Sequence, residues 1–570
     1  MKYLRKTNPA KSFPPTQRTA KTPQPGFGRY TQYSLDRIKL FADRLQSLVY
    51  PDRLSPTLMR VAGPTDRISY GQARDLRYDP VELGAEFGPM WATYWFKLAF
   101  DLPDHWASQR VDLYWNSHSE ALLFIDGQAA QGLNPTKPFH MGRYEAMVYK
   151  SAPPGGSIEL DIELACNGLF GLDTPPGLAG PQRGHERPVH WLQACELRLF
   201  DPLAWEIAQD YSVLSQLLLD GFPEPEPTGQ LPKPNEADPT WTGHLLHELN
   251  RFCNQFVPEQ SDTWDDAHAI LKKLLAAKNG THAHRMSVIG HAHIDTAWLW
   301  PVEETHRKCR RTFSSVLSYM DRYPEFQFAC SQAYQYEAIA KLDESLFNRI
   351  LEKVEQGQWI PVGGSWVEPD CNLPSGESLC RQFLYGQRYF EKTFGKRQHV
   401  FWNPDVFGYN GQLPQIMQQA GLTRFLTQKL SWNKFTSPMH HTFYWRGIDG
   451  SSVLTHFPPA DTYNGDCSIK QLRQHASNYK DFDRSSDAYY LFGYGDGGGG
   501  PSPKMIEAIR RTADLQGMPR AEYRAPEEFF DRLEQCTSEM PVKTGELYFE
   551  LHRGTFTSQA MTKRLNAEAE

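Results

Sequence analysis

Apolar and polar positions alternate in two different ways along this chain. From about residue 285 onward, apolar runs of strand length alternate with longer segments whose apolar residues recur at helical spacing. The first four runs begin roughly 30–40 residues apart, the length of one strand–helix unit. The pattern therefore predicts an α/β domain with a parallel sheet or barrel. Its strands are predicted at residues 285–289, 326–330, 358–362, 399–402, 424–427 and 489–492, and its helices at residues 305–319, 346–355, 377–394 and 412–420.

Residues 56–205 have the pattern of β structure instead. The stretch 111–115 alternates, and the apolar run 121–125 is followed by Asp126-Gly127, a strong hairpin-turn signal. Turn residues recur at short intervals, as they do in a β-sandwich. Such a domain could bind carbohydrate or could simply brace its neighbour, and the sequence leaves both open.

The remaining segments complete a division of the chain into five parts. Ser34 is predicted to cap a helix that follows a loose tail, and the acidic, Pro-rich stretch 221–240 is typical of a stiff surface connection. Two helices are predicted after it, at residues 241–256 and 262–277. The predicted parts are a flexible tail (1–30), an N-terminal helix with a β-sandwich-like domain (31–205), a Pro-rich and helical linker (206–280), the α/β domain (281–535) and the start of a further domain (536–570).

Composition and charge narrow the classes of function. The 570 residues carry a formal net charge of −7, which argues against nucleic acid or an anionic membrane surface as the main partner. No run of about 18 apolar residues occurs, so no membrane span is expected. The nine cysteines are odd in number and dispersed, with no Cys-x-x-Cys pair, which predicts a reduced, cytoplasmic protein.

The segment HAHIDTAWLWP, residues 291–301, carries the first candidate chemistry. It follows a strand-sized apolar run, so it lies where a strand stops and a loop begins. Residues two apart in an extended segment point to the same side, so His293 and Asp295 can face one point in space. An imidazole and a carboxylate at one strand end are half of a divalent-metal site. The alternative is that His293 closes a turn and Asp295 caps the next helix.

Further polar side chains follow the other predicted strands. Glu368 and Asp370 come after the third strand, Asp405 after the fourth, Lys429 after the fifth, and Asp496 after a late strand and before four consecutive glycines. Sites in parallel α/β folds lie beyond the carboxyl ends of the strands, so these groups are expected to converge. Asp405 and Asp496 could instead shape turns. The remaining carboxylates, Glu368 and Asp370, could either support a metal ligand from behind or bind a sugar, and we favour Asp370 for the sugar.

Five motifs occur in a fixed order along the chain: HAHIDTAWLWP, GGSWVEPD, FWNPDVFGYNGQLPQI, LFGYGDGGGGP and GELYFELHRGTFTSQA. Together they resemble the class II α-mannosidases of glycoside hydrolase family 38, above all their cytosolic and vacuolar branch. The stretch that begins YWFKLAFDLP resembles the β domain that precedes the catalytic domain in that branch. The resemblance implies a (β/α)7 catalytic barrel, one zinc ion, and hydrolysis of terminal α-D-mannosyl residues of oligosaccharides with retention of configuration.

The same resemblance assigns roles to individual residues. It makes His293, Asp295, Asp405 and His552 the metal ligands, and Asp405 also the catalytic nucleophile. Trp298 would stack on the sugar. Two imidazoles and two carboxylates are borderline ligands, so cobalt or manganese could replace zinc.

The second catalytic group and the sugar contacts complete the implied site. Asp496 is the candidate acid/base, and Lys429 stands where some relatives carry an arginine that binds a sugar hydroxyl. A retaining glycosidase needs two carboxyl groups about 5 Å apart, one as nucleophile and one as acid then base. A dication on Asp405 would keep that carboxylate ionised and could also hold hydroxyls of the sugar.

Members of the family extend well beyond this length, so the sequence is expected to be truncated at its C-terminal end. His552 would lie on a strand at residues 546–551. Without the domains that follow in relatives, that strand would have few partners, and we expect residues 540–570 to be the least stable part of the chain. The fourth metal ligand would then be mobile.

Two other functions remain open on the sequence alone. One is a metal hydrolase resembling polysaccharide deacetylases, although their ligands lie close together in sequence and Asp405 lies 112 residues after His293. The other is a catalytically inactive carbohydrate-binding fragment. The expected partner is a mannose-containing oligosaccharide, with neither nucleic acid nor membrane, and the resemblance makes a homo-oligomer one expectation.

Overall fold

The structure is a computed structural model that describes residues 31–134, 142–171, 190–222, 239–281, 283–536 and 539–570. The predicted tail and residues 223–238 of the Pro-rich stretch lie outside these residues. None of the described helices combines the length and the apolar composition needed to cross a bilayer.

The described residues begin with helix α1 (Thr31–Ser47), which buries Leu35, Ile38 and Leu45. The prediction that Ser34 caps this helix is wrong, because the helix already includes the three residues before it. The Ser34 hydroxyl instead accepts a hydrogen bond of 2.8 Å from Asn250 Nδ2, so its side chain serves a contact between helices.

A two-sheet β domain follows α1, as the sequence predicts. Its strands are β1 (Asp52–Leu54), β2 (Leu58–Thr65), β3 (Asp79–Pro80), β4 (Glu86–Phe87), β5 (Thr93–Asp101), β6 (Val111–Asn116), β7 (Glu120–Ile125), β8 (Gln128–Leu133), β9 (Glu145–Tyr149), β10 (Ser157–Ala165), β11 (His190–Trp191) and β12 (Ala194–Leu199). Strands pair in the orders β1-β12-β6-β9 and β3-β2-β5-β10-β7-β8, and β4 pairs with β11. A short helix, α2 (Tyr70–Arg74), lies between β2 and β3.

The predicted hairpin is confirmed. Ile125 of β7 pairs with Gln128 of β8, and the two residues between them have positive φ angles, 50° at Asp126 and 77° at Gly127. That is the turn geometry that an Asp-Gly pair favours, since both positions tolerate the left-handed region. The inner faces of the two sheets share one core that includes Phe96, Trp115 and Leu123.

Three helices connect the β domain to the α/β domain. They are α3 (Pro202–Asp220), α4 (Pro239–Gln255) and α5 (Trp264–Leu275). The two helices predicted after the Pro-rich stretch are confirmed within two residues at each end. They pack with α1 and α3 through apolar side chains such as Leu214, Leu245 and Leu271, which are all buried.

The α/β domain contains every strand and helix that the sequence predicts there, with ends shifted by three residues or fewer. Its strands are β13 (Arg285–His291), β14 (Phe328–Cys330), β15 (Trp359–Pro361), β16 (Val400–Trp402), β17 (Arg424–Leu426), β18 (Thr442–Arg446), β19 (Ser452–His456), β20 (Asp487–Phe492), β21 (Arg520–Tyr523) and β22 (Val542–Thr544). Its helices are α6 (Val302–Met320), α7 (Ala333–Leu342), α8 (Glu344–Glu355), α9 (Gly376–Phe394), α10 (Leu413–Gln419), α11 (Ile469–Asn478), α12 (Pro503–Thr512), α13 (Pro526–Gln535) and α14 (Ala560–Ala569).

These strands form two five-stranded sheets. The first has the order β15-β14-β13-β20, with β21 also pairing with β13, and all of its pairs are parallel. The second has the order β16-β17-β19-β18-β22, in which only β18 and β19 are antiparallel. Among the described residues, hydrogen bonding therefore gives two parallel-rich sheets rather than one continuous closed ring.

A buried charge cluster joins the β domain to α6. Glu120 of β7 contacts Lys308 (2.6 Å) and Arg311 (3.0 Å), and Arg311 also contacts Glu304 (2.6 Å). Glu163 of β10 pairs with Arg307 at 2.8 Å. Because α6 begins directly after the segment HAHIDTAWLWP, this cluster fixes the helix that follows the candidate site.

The prediction of a strand at residues 546–551 is wrong. Only Leu547 pairs there, in an isolated bridge with Tyr409. The next residues bond to side chains instead: Asn433 Nδ2 donates to the carbonyl of Tyr548, and the Glu550 amide donates to Asn433 Oδ1. The Glu550 carboxylate also accepts bonds from the backbone amides of residues 434 and 435, so a loop occupies the positions that a neighbouring strand would need.

Candidate metal and catalytic site

His293 and Asp295 lie just beyond the carboxyl end of β13. The His293 side chain is buried, and that of Asp295 is partly exposed. His293 Nε2 lies 3.4 Å from Asp295 Oδ1. The two side chains therefore face one point, as the two-residue spacing predicts.

Asp405 reaches the same point from β16. Its Oδ2 lies 3.4 Å from His293 Nε2, and one donor atom from each of His293, Asp295 and Asp405 lies within 4.8 Å of the other two. Asp405 lies 110 residues after Asp295 in the sequence, but all three residues follow the carboxyl end of a strand. Convergence at that edge is what the α/β pattern predicts.

The donor set fits a divalent cation. Ligand atoms at about 2.0 Å from a tetrahedral ion lie about 3.3 Å from one another. The two separations of 3.4 Å from His293 Nε2 match that spacing, and one imidazole with two carboxylates is a mixed set that suits zinc, cobalt or manganese.

Glu368 lies behind the imidazole. Its Oε2 is 2.8 Å from His293 Nδ1, and its side chain is almost fully buried. A carboxylate at Nδ1 orients the ring so that Nε2 points toward Asp295 and Asp405. Burial alone would lower the pKa of His293, but the carboxylates of Asp295 and Glu368 raise it well above 6.5, so this pocket favours positive charge.

The sequence favours Asp370 as a sugar contact, and the structure gives Asp370 and Glu368 different surroundings. Asp370 is exposed, and its Oδ1 accepts bonds from the backbone amides of Asn372 and Leu373, so it forms a turn. Glu368 is the carboxylate that touches His293. Two carboxylates separated by one residue, with proline between them, give no sequence signal for which one turns inward.

Lys429 lies on the other side of Asp405. It begins a short 3₁₀ turn (Lys429–Trp432), its side chain is buried, and its ammonium contacts Asp405 Oδ1. The ammonium also lies 3.8 Å from the ring centre of Trp432 and 5.1 Å from that of Phe407. A cation held against two aromatic rings therefore contacts one oxygen of the Asp405 carboxylate.

Asp496 sits in the glycine-rich loop after β20, with a positive φ of 54°. Tyr463 donates a hydrogen bond of 3.1 Å to Asp496 Oδ1. Burial raises the pKa of Asp496 to about 6, and the negative charge of Asp405 adds to this, while His293 and Lys429 act in the opposite direction. The Lys429 ammonium contacts Asp405, whereas the Tyr463 phenol donates to Asp496 and also interacts with Asp405.

The tryptophans of the first motif separate into exposed and buried positions. Trp298 is 45% exposed and packs edge-on against Phe170 (5.1 Å) and Trp300 (5.5 Å). Trp300 is 3% exposed and donates to Thr305 Oγ1. Only Trp298 of these two offers a ring face to a ligand.

His552 stays outside the three-residue group. It is exposed, has a positive φ of 56°, and its ring centre lies 4.8 Å from that of Phe407. Partial burial and the nearby Lys429 ammonium lower its pKa. The structure therefore brings His293, Asp295 and Asp405 together and leaves His552 at the margin, beside the aromatic residues that surround Lys429.

Comparison with known families matches two parts of the chain. Residues 283–548 match the model described as "Glycosyl hydrolases family 38 N-terminal domain", and residues 54–197 match "Alpha-mannosidase, jelly roll domain". The first match contains the whole candidate site except His552, and the second covers most of the two-sheet domain.

Curated relatives extend the match over most of the chain. "Alpha-mannosidase G" of Dictyostelium discoideum is 42% identical, over 89% of this chain and 45% of the relative. "Alpha-mannosidase 2C1" of Mus musculus is 38% identical, over 95% of this chain and 51% of the relative. The chain thus spans about half the length of the curated relatives it matches.

Among solved structures, an alpha-mannosidase from Enterococcus faecalis V583 aligns with 46% of this chain and 31% of its own, at 20% identity and a TM-score of 0.41. The likeness to family 38 depends on the sequence matches and not on that alignment. The domain at residues 283–548 matches glycosyl hydrolase family 38, and over most of its length the chain is 42% and 38% identical to two curated alpha-mannosidases.

Proposed function

We propose that this chain carries the catalytic site of a metal-dependent retaining α-mannosidase, which removes terminal α-D-mannosyl residues from oligosaccharides. The observation that carries the proposal is the convergence of His293, Asp295 and Asp405 donor atoms within 4.8 Å of one another. The names of the relatives supply the substrate class. Because the chain spans about half of their length, the activity of the whole protein is part of the proposal.

His293, Asp295 and Asp405 would hold the ion, with His552 as a fourth ligand that moves in from the margin. Zinc is the ion we propose, and cobalt or manganese suit the same donors. When bound, such an ion supplies Lewis-acid chemistry and can orient sugar hydroxyls. Glu368 contributes by holding the His293 ring in place at 2.8 Å.

Asp405 is the proposed nucleophile. Its carboxylate lies between the Lys429 ammonium at Oδ1 and the His293 imidazole at Oδ2, so positive groups face both oxygens. Attack on the anomeric carbon requires the carboxylate form of this side chain.

Asp496 is the proposed acid/base. It is buried beside Tyr463 and close enough to Asp405 to feel its charge, which is the relationship that two catalytic carboxyls need. In the first step it would donate its proton to the leaving oxygen, and in the second it would take one from water.

The sugar contacts belong to the same proposal. The partly exposed ring of Trp298 would stack on the mannosyl ring, Lys429 would donate to a hydroxyl, and the exposed Asp370 would accept from another. Of the three, Asp370 has the least support, because its carboxylate already accepts two backbone bonds in its turn.

The finer architectural expectations also remain proposals. These are closure of the two sheets into a (β/α)7 barrel and the five-part division of the chain with boundaries near residues 30, 205, 280 and 535. A cytoplasmic location is supported by nine cysteines that are all free thiols. A homo-oligomer and the absence of nucleic acid and membrane partners stay predictions from the sequence.

The test is hydrolysis of a chromogenic α-mannoside by the full chain, before and after treatment with a chelator, followed by addition of zinc, cobalt or manganese. We expect release of the chromophore, its loss on chelation, and the α-anomer as first product by NMR. A β-anomer would contradict the retaining mechanism. Deacetylation of an N-acetylated glycan without mannoside cleavage, or binding of mannosides without turnover, would replace the proposal with one of the two alternatives.

A further inference from the structure

The loop that carries Asp496 is fixed by several backbone hydrogen bonds. Tyr494 and Gly500 pair with each other in both directions, at 3.0 and 2.8 Å, so they close the base of the loop. The amide of Gly495 donates to Asn464 Oδ1, and the amide of Gly497 donates to the carbonyl of His293. The return limb, residues 499–501, has its carbonyls pointing toward the β domain.

Arg143 of the β domain binds that return limb. Its Nη1 donates to the carbonyl of Gly499 at 2.8 Å, and its Nη2 donates to the carbonyls of Gly500 (3.2 Å) and Pro501 (2.7 Å). Arg143 is 5% exposed, and its backbone pairs with Asn134 at the end of β8. One guanidinium from a separate domain thus caps three consecutive carbonyls of the loop.

The glycines of the loop permit this close approach. A Cβ on Gly499 would lie 2.6 Å from Arg143 Nη1, and a Cβ on Gly497 would lie 2.7 Å from the stem of Lys308. Lys308 is itself held by Glu120 of the β domain at 2.6 Å. The β domain therefore reaches the Asp496 loop twice, directly through Arg143 and indirectly through Glu120 and Lys308.

We propose that Arg143 is a positioning residue for the acid/base carboxyl of Asp496, so that the β domain contributes to the active site. The inference rests on the proposed function of Asp496. A planar guanidinium with several donors can satisfy three carbonyls at once, which an ammonium on a flexible stem does less well. Loss of those bonds would remove the guanidinium from the carbonyls of Gly499 and Pro501, leave Gly500 with only its bond from the Tyr494 amide, and let the return limb shift.

A shift of about 1 Å at a catalytic group can cost on the order of 100-fold in rate. General acid catalysis matters most for poor leaving groups, because good ones depart without a proton. Arg143→Met should therefore lower kcat/KM roughly 10- to 100-fold more on a mannosyl disaccharide than on a dinitrophenyl mannoside. Arg143→Lys should recover part of that loss.

The experiment measures kcat/KM on both substrates and the hydrogen exchange of the loop, using the full chain. Ser315→Ala is the matched control, since Ser315 Oγ accepts from the Gly132 amide at the same domain interface without touching the loop. We expect faster exchange at residues 494–500 in Arg143→Met and not in Ser315→Ala. Hydrogen exchange measures the mobility of the loop even if catalytic turnover is slow. It also shows whether the rest of the protein stays folded.

Unchanged loop exchange in Arg143→Met would overturn the proposal. Equal losses on both substrates would also overturn it, provided that Asp496→Ala discriminates between them. If Asp496→Ala loses the same activity on both substrates, the acid/base assignment of Asp496 is wrong, and the role proposed for Arg143 is then wrong as well. The Asp496 variant therefore separates failure of this inference from failure of the proposed function.

Discussion

Glu368 Oε2 lies 2.8 Å from His293 Nδ1, and both side chains are buried. This carboxylate fixes the direction in which the imidazole presents its other nitrogen. It also adds to the negative charge that draws a cation to Asp295 and Asp405. Glu368 is not a metal ligand itself, but by orienting His293 it helps to determine whether the site is formed before the metal binds.

Replacing Glu368 by Ala should weaken metal binding by about 10- to 100-fold, the usual effect of losing a carboxylate behind a ligating histidine. Asp370→Ala is the control for metal binding, because Asp370 lies two residues away but is exposed and bonds within a turn instead of contacting His293. Zinc titration monitored by calorimetry would measure both. Equal affinities for Glu368→Ala and the parent chain would show that the contact does not orient the ring.

Truncation of the two tryptophans of the first motif should affect different properties, substrate binding for Trp298 and stability for Trp300. Trp298→Ala should raise KM for mannosides about fivefold, since a stacking contact is worth on the order of 1 kcal/mol, and should leave the melting temperature nearly unchanged. Trp300→Ala removes a buried ring and should cost about 3–5 kcal/mol of stability. Kinetics and thermal unfolding of the pair would be compared, and a large loss of stability in Trp298→Ala would assign that ring to the core.

Acid should weaken the junction between the β domain and α6. Burial alone would raise the pKa of Glu304, but Arg307, Arg311 and Lys308 outweigh it and lower that pKa to about 2 from an ordinary 4.5. A lowered folded-state pKa stabilises the fold above pH 4.5, and this stabilisation is lost as the pH falls toward 2. The difference corresponds to roughly 3 kcal/mol.

The measurement compares thermal unfolding of the parent chain and Glu304→Gln between pH 7 and pH 2.5. We expect the parent chain to be more stable at neutral pH and the two curves to approach each other below pH 4.5. Glu303→Gln, at the exposed neighbouring position, should follow the parent throughout. Parallel curves for the parent and Glu304→Gln would mean that the carboxylate adds no pH-dependent stability.

The sequence predicted the α/β strands, the hairpin at Asp126-Gly127 and the grouping of His293 with Asp295, because these depend on periodicity and local turn chemistry. The sequence offers both Glu368 and Asp370 for supporting a ligand or binding a sugar, but it does not show which of them contacts His293, because packing decides which side chain turns inward. The strand predicted at residues 546–551 failed for a similar reason. Polar and apolar side chains alternate in this segment as they would in a strand. Its backbone, however, forms hydrogen bonds with the Asn433 side chain in a loop and not with a neighbouring strand.

The last prediction concerns His552, which stands outside the group formed by His293, Asp295 and Asp405. If it is the fourth ligand, binding of zinc must draw residues 552–556 inward and slow their hydrogen exchange, because this exposed segment forms only a short 3₁₀ turn (Arg553–Phe556). The amide of Leu547 already donates to the carbonyl of Tyr409, so its exchange should be slow with or without zinc. His552→Ala should abolish the effect of zinc on residues 552–556 while retaining weaker binding, whereas His293→Ala should abolish binding altogether. Exchange in residues 552–556 that is the same with and without saturating zinc would show that three residues hold the ion and that His552 is not a ligand in this chain.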